Sequence, residues 1–414
     1  MPKVWTERQR GMSRGGPRRL QAKPRSLAGT ERATVISTSG EEQAVQRSPP
    51  LHRPGLRWPT LGLVRGRSVW LEGLGWGLLA LVALLAMDAY VRDSPSPRND
   101  EQIYALMAKD PFAAHTFPFA FRVGVPTLVH VLPLDQEFAF SLLAWLATAG
   151  CATLAYVLMR RFGIGKGLCA GIAVAFALSP TLFVVSLRQG YNVDPESVLV
   201  MFAGTLAIVD RRPVVLGLVV LVGAFVRESA LFLVPLAYAI WAERPFDPIV
   251  AARTLAVCAP GLVAYLVLRL SVPSVARDQV LGYSSLIGGR VDVLEAAAEA
   301  PQYPLRRVAY AFGPLWAAAP FALRDLSFAR RGLVLVGACA IGMTFALDWG
   351  RVIVLAAPVI LVAAGWALRD KPRLAVLAVA AFLALDFGYV IYMEDLGGAQ
   401  DGIIDVGPAP YEIR

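Results

Sequence analysis

The chain has 414 residues, 56% of them hydrophobic and 17% charged, whereas soluble domains run nearer one-quarter charged. That balance excludes an ordinary soluble enzyme, a disordered chain and a disulfide-stapled secreted domain. The net charge of +9 is local: residues 1–67 hold fourteen Lys/Arg against four Asp/Glu, and the remainder is close to neutral.

Residues 1–67 are rich in Arg, Pro, Ser and Gly and too poor in apolar residues to build a core. They read as a disordered, basic cytoplasmic tail held near anionic lipid, and Met12 offers an alternative start. A nucleic-acid partner would need basic side chains interleaved with aromatics on a folded surface. The tail offers Trp5 and Trp58 and little else, so no nucleic acid is expected. No signal peptide fits, because the first long apolar run begins near residue 69 without a small-residue cleavage pattern soon after it.

From there the sequence reads as a multi-pass membrane domain, 68–393. A bilayer core takes about 20 apolar residues as a helix, and backbone groups in lipid must pair within their own segment. Runs at 69–91, 138–159, 168–186, 254–270, 332–347, 352–368 and 374–392 meet this, and 309–323 is a shorter apolar run. Between them, 198–209, 214–226 and 230–241 are short; twelve helical residues span only ~18 Å. Arg227-Glu228 interrupts the second of these gaps. Either 214–241 is one helix with an ion pair at mid-membrane, or it is two short helices turning at Arg227-Glu228.

Loop charge favours the turn. Basic residues concentrate in cytoplasmic loops. With two short helices, Arg160-Arg161, Lys166, Arg244, Arg253, Arg324, Arg330-Arg331 and Arg369-x-Lys371-x-Arg373 all fall inside with the tail. The expected fold is therefore all-α and polytopic, with about eleven transmembrane helices, some short or broken. It sits in the plasma (inner) membrane, with the N-terminus in the cytoplasm and an extracytoplasmic tail at 394–414. Cys151, Cys169, Cys258 and Cys339 all lie in apolar runs without zinc or disulfide spacing, and read as small core residues.

On this topology the outward segments collect the remaining polar residues. Asp100-Glu101, followed by Tyr104, opens a short amphipathic stretch at the membrane surface. A carboxylate there can take a proton from a hydroxyl or hold a divalent cation; the simpler reading is a solvated helix start. The apolar stretch 118–126 carries Arg122 between prolines and reads as an interfacial segment. Asp194-Pro195-Glu196 reads as a helix start with Pro in its first turn. Arg227-Glu228 reads as a self-satisfying ion pair or a functional pair, and Asp348-x-x-Arg351 as a loop salt bridge or a binding corner. Arginine's fork matches phosphate oxygens, so acids and arginines gathered at one membrane rim suit a polar, phosphate-bearing substrate tethered to lipid. His115 and His130 fit no catalytic or metal spacing and read as structural. Gly163-Ile-Gly165-Lys-Gly167 reads as a helix junction rather than a phosphate cradle.

In layout and in short motifs the chain resembles the GT-C superfamily of polytopic glycosyltransferases, which use a polyprenyl-phosphate-linked sugar on the extracytoplasmic side. The resemblance rests on four features. They are Asp100-Glu101 with Tyr104 in the first outer loop, the Pro118–Pro126 stretch with Arg122, the Val226-Arg227-Glu228-Ser229 break, and the Asp348-Trp349-Gly350-Arg351 corner. It implies an inverting transfer of a sugar to a glycan, lipid or protein acceptor, with Asp100 as general base. Arg227, Arg351 and Arg122 would bind the lipid phosphate, and Glu101 or Asp194 would position the acceptor. Tyr104, Glu228 and Asp348 would complete the substrate site. A divalent cation, Mg²⁺ or Mn²⁺, is left open as an optional cofactor at Asp100 and Glu101. A transporter or flippase of a lipid-linked or anionic substrate is the main alternative, and a non-catalytic scaffold the second.

Overall fold

A computed structural model describes residues 66–90, 99–116, 119–183, 191–275, 294–295, 297–298, 301–346 and 348–395, all within one compact unit, Leu56–Arg414. The expected tails lie outside the described residues, apart from 66–67 and 394–395. The described chain is helical; its one pair of strands is a two-residue parallel contact of His115–Thr116 with Ser274–Val275.

Among the described residues five helices are long and apolar enough to cross a bilayer: Arg67–Met87, Gln136–Arg161, Pro248–Ser271, Trp349–Leu368 and Pro372–Tyr389. This defines an all-α protein of the membrane-spanning type, and it corrects the count of about eleven when each helix is judged by its own length and composition. The reason lies in the breaks. The first of the shorter segments stops at Ser179-Pro180 after the 13 residues Lys166–Leu178, because proline cannot supply the next backbone N–H. The segment after Gln302–Phe312 is interrupted at Gly313, with φ 48°, and Pro314. The run 213–241 breaks at Arg227, whose backbone is extended, between Pro213–Val226 and a 3₁₀ turn, Glu228–Phe232.

We label the helices that place the polar residues α1 (Arg67–Tyr90), α2 (Asn99–Lys109), α3 (Gly124–Val131), α4 (Gln136–Arg161), α5 (Lys166–Leu178), α6 (Pro180–Phe183), α7 (Asp194–Val209), α8 (Pro213–Val226), α9 (Leu233–Trp241) and α10 (Pro248–Ser271). After these come α11 (Gln302–Phe312), α12 (Leu315–Ala318), α13 (Ser327–Met343), α14 (Trp349–Ile353), α15 (Ala357–Leu368) and α16 (Pro372–Asp395). The apolar stretch α14–α15 is 83% buried inside the bundle, and α4 is 61% buried, whereas the windows of α1, α10 and α16 are at most 28% buried. The central helices are therefore apolar all round, and the peripheral ones turn apolar side chains such as Leu78, Leu266 and Val376 outward. In water such a surface would drive aggregation; against lipid tails it costs nothing.

Side-chain contacts fix the helix directions. Glu72 of α1 accepts hydrogen bonds from Tyr156 of α4 and Lys166 of α5, both at 2.6 Å. Arg161, ending α4, pairs with Asp210, just past α7, at 3.3 Å. Trp241, ending α9, donates its ring N–H to the Ile208 carbonyl of α7 at 3.0 Å. Arg331 of α13 donates to the carbonyls of Ala239, Ile240 and Ala242. All of these contacts share one end of the bundle. Helices α4, α7 and α9 finish there, while α1, α5 and α13 begin there.

Helices α8 and α10 run parallel, with Gly217 against the Val257 carbonyl and Gly261 against that of Val220. A Cβ at Gly217 would stand 2.7 Å from the Val257 oxygen. Without a hydrophobic force between helices in lipid, such close small-residue contacts gain their stability from dispersion.

The four cysteines are free and buried in the core. Gly163, with φ 74°, turns the chain between α4 and α5 as a helix junction. His130 contacts the Ala108 carbonyl at 2.9 Å and His115 the Asp110 carbonyl at 2.7 Å, both structural.

Candidate functional site

At the end of the bundle opposite Arg161 and Arg331, ionised side chains from five segments meet around Asp194. The sequence builds this point by capping. The Asn192 side-chain oxygen accepts from the backbone N–H of Val193 at 2.7 Å and of Asp194 at 3.1 Å, which starts α7. Pro195, in the first turn, sits where a missing N–H costs nothing. Asp194 is thereby fixed with its carboxylate 2% exposed.

Two guanidiniums close on that carboxylate. Arg227, in the extended link after α8, donates to Oδ1, and Arg351 of α14 donates through Nε to Oδ2. Arg351 also donates through Nη2 to the Asn192 oxygen at 3.2 Å. The α14 turn aims it there: Asp348 accepts from the Arg351 backbone N–H at 3.3 Å as the helix cap, and lies 3.7 Å from the Arg307 guanidinium.

A second ion pair adjoins the first. Arg122 is 5% exposed. It forks onto Glu228, with Nε to Oε2 at 3.1 Å and Nη2 to Oε1 at 2.6 Å. Its remaining arm donates to the Tyr104 hydroxyl at 3.2 Å. Phe119 supports both residues: its ring lies 5.2 Å from the Arg122 carbon and meets Tyr104 edge-on at 5.5 Å. Burial works against the charge on Arg122, but the Glu228 carboxylate outweighs it and holds the guanidinium well above the ordinary arginine range. Burial also raises the Tyr104 hydroxyl, against the pull of Arg122, so the phenol stays protonated at neutral pH.

Of the residues picked from sequence, Tyr104, Arg122, Asp194, Arg227, Glu228 and Arg351 come together, with Asp348 behind Arg351. The pairing decides between the alternatives left open for two neighbouring pairs. Arg227 and Glu228 do not satisfy each other through a salt bridge; they reach Asp194 and Arg122 respectively. Asp348 and Arg351 form no side-chain bridge; Asp348 caps the turn and Arg351 crosses to Asp194. Asp100 and Glu101 fall in the first turn of α2, one turn before Tyr104. Their side chains lie outside the described residues, and the optional cation site falls with them. Among the described residues no group of three His, Cys, Asp or Glu is placed to hold a metal.

Sequence reading did not single out Arg307, and it placed Asn192 and Glu196 at this end without naming them as site residues. The Asn192 amide nitrogen, both Glu196 carboxylate oxygens, the Ser229 hydroxyl and the Trp349 ring N–H are buried there without a hydrogen-bond partner among the described residues. Buried polar groups without partners are costly. The only sequence signal for them was proximity: Asn192 and Glu196 flank Asp194, and Ser229 and Trp349 each adjoin a charged pair. Arg307 had none, because its loop matched no motif.

The fold and site define an all-helical membrane-type protein with a buried arginine–carboxylate hub at one end. No family model matches the chain, and no curated protein matches it.

Proposed function

We propose that this chain is a polytopic glycosyltransferase of the GT-C kind. On this reading it moves a sugar from a polyprenyl-phosphate carrier in the bilayer to a glycan, lipid or protein acceptor, with inversion. The observation that carries the reading is the charge and make-up of the hub. Three guanidiniums, on Arg122, Arg227 and Arg351, face two carboxylates, on Asp194 and Glu228. Arginine forks gathered and oriented at one point suit the oxygens of a phosphate-bearing substrate. Tyr104 ties that hub to α2, the helix that Asp100 and Glu101 open.

The chemistry is then direct. Asp100 removes the acceptor hydroxyl proton as the oxygen attacks the anomeric carbon. The bond from that carbon to the carrier phosphate breaks, and the phosphate leaves with the electron pair, stabilised by Arg227 and Arg351. A phosphate leaving group needs little acid help, and the sugar arrives activated, so no nucleotide site is required.

On this reading the shorter helices also cross, although only five described helices are long and apolar enough to do so by themselves. Broken segments count as single passes when α5 with α6, α11 with α12 and the 3₁₀ turn Ala319–Leu323, and α14 with α15 are each joined. Short helices such as α7, α8 and α9 then thin the protein around a cavity-facing site. The basic end, with Arg160-Arg161, Arg330-Arg331 and Arg369, faces the cytoplasm of the plasma membrane with the N-terminus, and the hub faces outward.

The test is Asp100→Asn in membranes supplied with polyprenyl-phosphate sugars. Loss of a general base lowers turnover about 100-fold or more; unchanged turnover removes Asp100 from the role. Substrate counterflow in sealed proteoliposomes, without transfer, would favour the transporter instead.

A further inference from the structure

The basic end holds a second site, independent of the transferase reading. A cavity of about 180 Å³ is lined by Arg211, Pro213, Trp241, Val250 and Arg253. It lies one helix length from the hub, because α8 begins at Pro213 beside the cavity and ends at Val226 beside Arg227.

Arg211 occupies a backbone position that suits glycine. It follows α7 with φ 53°. The hydrogen bonds Arg212 N–H to Ala207 carbonyl, 2.9 Å, and Arg211 N–H to Ile208 carbonyl, 3.2 Å, close the helix in the usual left-handed stop. Arginine there is strained where glycine is not, and in exchange a guanidinium is placed at the cavity.

The charge is unmatched. Among the described residues no carboxylate pairs with Arg211 or Arg253. Of the acids close in sequence, Asp210 turns one carboxylate oxygen to Arg161 and Asp247 caps α10 through Ile249 and Val250. Helix α8 starts at the cavity with no capping side chain, so the positive end of its dipole adds to the two arginines. Trp241 is pinned by its bond to the Ile208 carbonyl and presents an aromatic wall of the kind favoured at a lipid headgroup boundary. Beside the cavity, Val214, Leu218 and Val222 form an outward apolar stripe along α8, exposed by 75%, 57% and 59%.

A phosphate at the arginines with two hydrocarbon chains along that stripe satisfies every one of these features. We propose that this cavity binds the headgroup phosphate of an anionic diacyl phospholipid from the surrounding leaflet. A free phosphate shares the headgroup chemistry but makes no use of the stripe.

The experiment is native mass spectrometry on the purified full chain titrated with dioleoylphosphatidylglycerol, dioleoylphosphatidylcholine or inorganic phosphate. The wild-type chain is expected to retain one phosphatidylglycerol about tenfold better than phosphatidylcholine. Arg211→Gln with Arg253→Gln lowers that retention at least fivefold. Arg324→Gln with Arg330→Gln removes equal charge from the same end and leaves retention within twofold. Arg211→Gly guards against misfolding, since it relieves the strained backbone: its thermal midpoint without added lipid equals or exceeds wild type while retention falls. Three results each overturn the proposal: equal loss in the Arg324/Arg330 control, unchanged retention in Arg211→Gly, or displacement of phosphatidylglycerol by inorganic phosphate.

Discussion

The two ends of this bundle treat arginine in opposite ways. Around Asp194 every principal guanidinium is turned onto a carboxylate and withdrawn from solvent: Arg122, Arg227 and Arg351 are 7%, 11% and 16% exposed at the side chain. At the other end Arg161 is buried on Asp210 and Arg331 holds backbone carbonyls, but Arg211, Arg212, Arg253, Arg324 and Arg330 are exposed. Buried charge is costly unless paired and hydrogen-bonded, so the hub end cannot tolerate a missing partner. The exposed end tolerates loss and gains or loses ligands instead. At the hub end the described arginines are paired and fix geometry; at the other end paired arginines share the surface with a larger exposed set.

That contrast can be broken by single substitutions. The largest effect is expected from Asp194→Ala, which leaves Arg227 and Arg351 facing each other in a buried space. Breaking a buried pair costs about 3–5 kcal/mol, and a fall in thermal midpoint of the purified chain would report it. Glu228→Gln is expected to cost about 1–3 kcal/mol, because Arg122 loses its forked partner but Glu228 is one-third exposed and water screens the deficit. Asp348→Ala is the smallest, at about 1 kcal/mol for a lost helix cap, because its 3.7 Å approach to Arg307 is too long for a hydrogen bond. It sharpens the comparison in a different way: it leaves both hub pairs intact while freeing the α14 turn, so it should raise the KM for a phosphate-bearing substrate more than it lowers the unfolding midpoint.

Much of the scaffold was legible in the chain. The long apolar runs that became α1, α4, α10 and α16 carry at most two charged residues each, Glu72 and Asp88, none, Arg269, and Asp386 respectively, so composition alone located them. The break at Arg227 was legible because two ionised residues in an apolar run rarely sit in a straight lipid-exposed helix. The number of full-length helices was not. Apolar runs such as 168–186 read as one helix, yet proline at 180 stops the first segment after 13 residues.

The membership of the hub was legible in part, since acids and arginines at one rim were expected to converge. Their partners were not. Neighbours in sequence, Arg227 with Glu228 and Asp348 with Arg351, suggested local bridges. The observed partners are 33, 106 and 157 residues apart, and only the packing of α7 and of the segment before α3 against the broken turns selects them. Arg307 and the uncapped α8 start carried no motif, because their roles come from what stands across from them.

The account rests on Asp194 and Arg351 touching across the bundle, and a double-mutant cycle tests that contact most directly. Asp194→Asn, Arg351→Gln and the pair together would be measured by thermal unfolding in one lipid nanodisc preparation. The contact predicts a coupling energy of about 1–3 kcal/mol, as found for residues sharing a salt-bridge network. Costs that add within about 0.5 kcal/mol would place the two residues apart and contradict the hub.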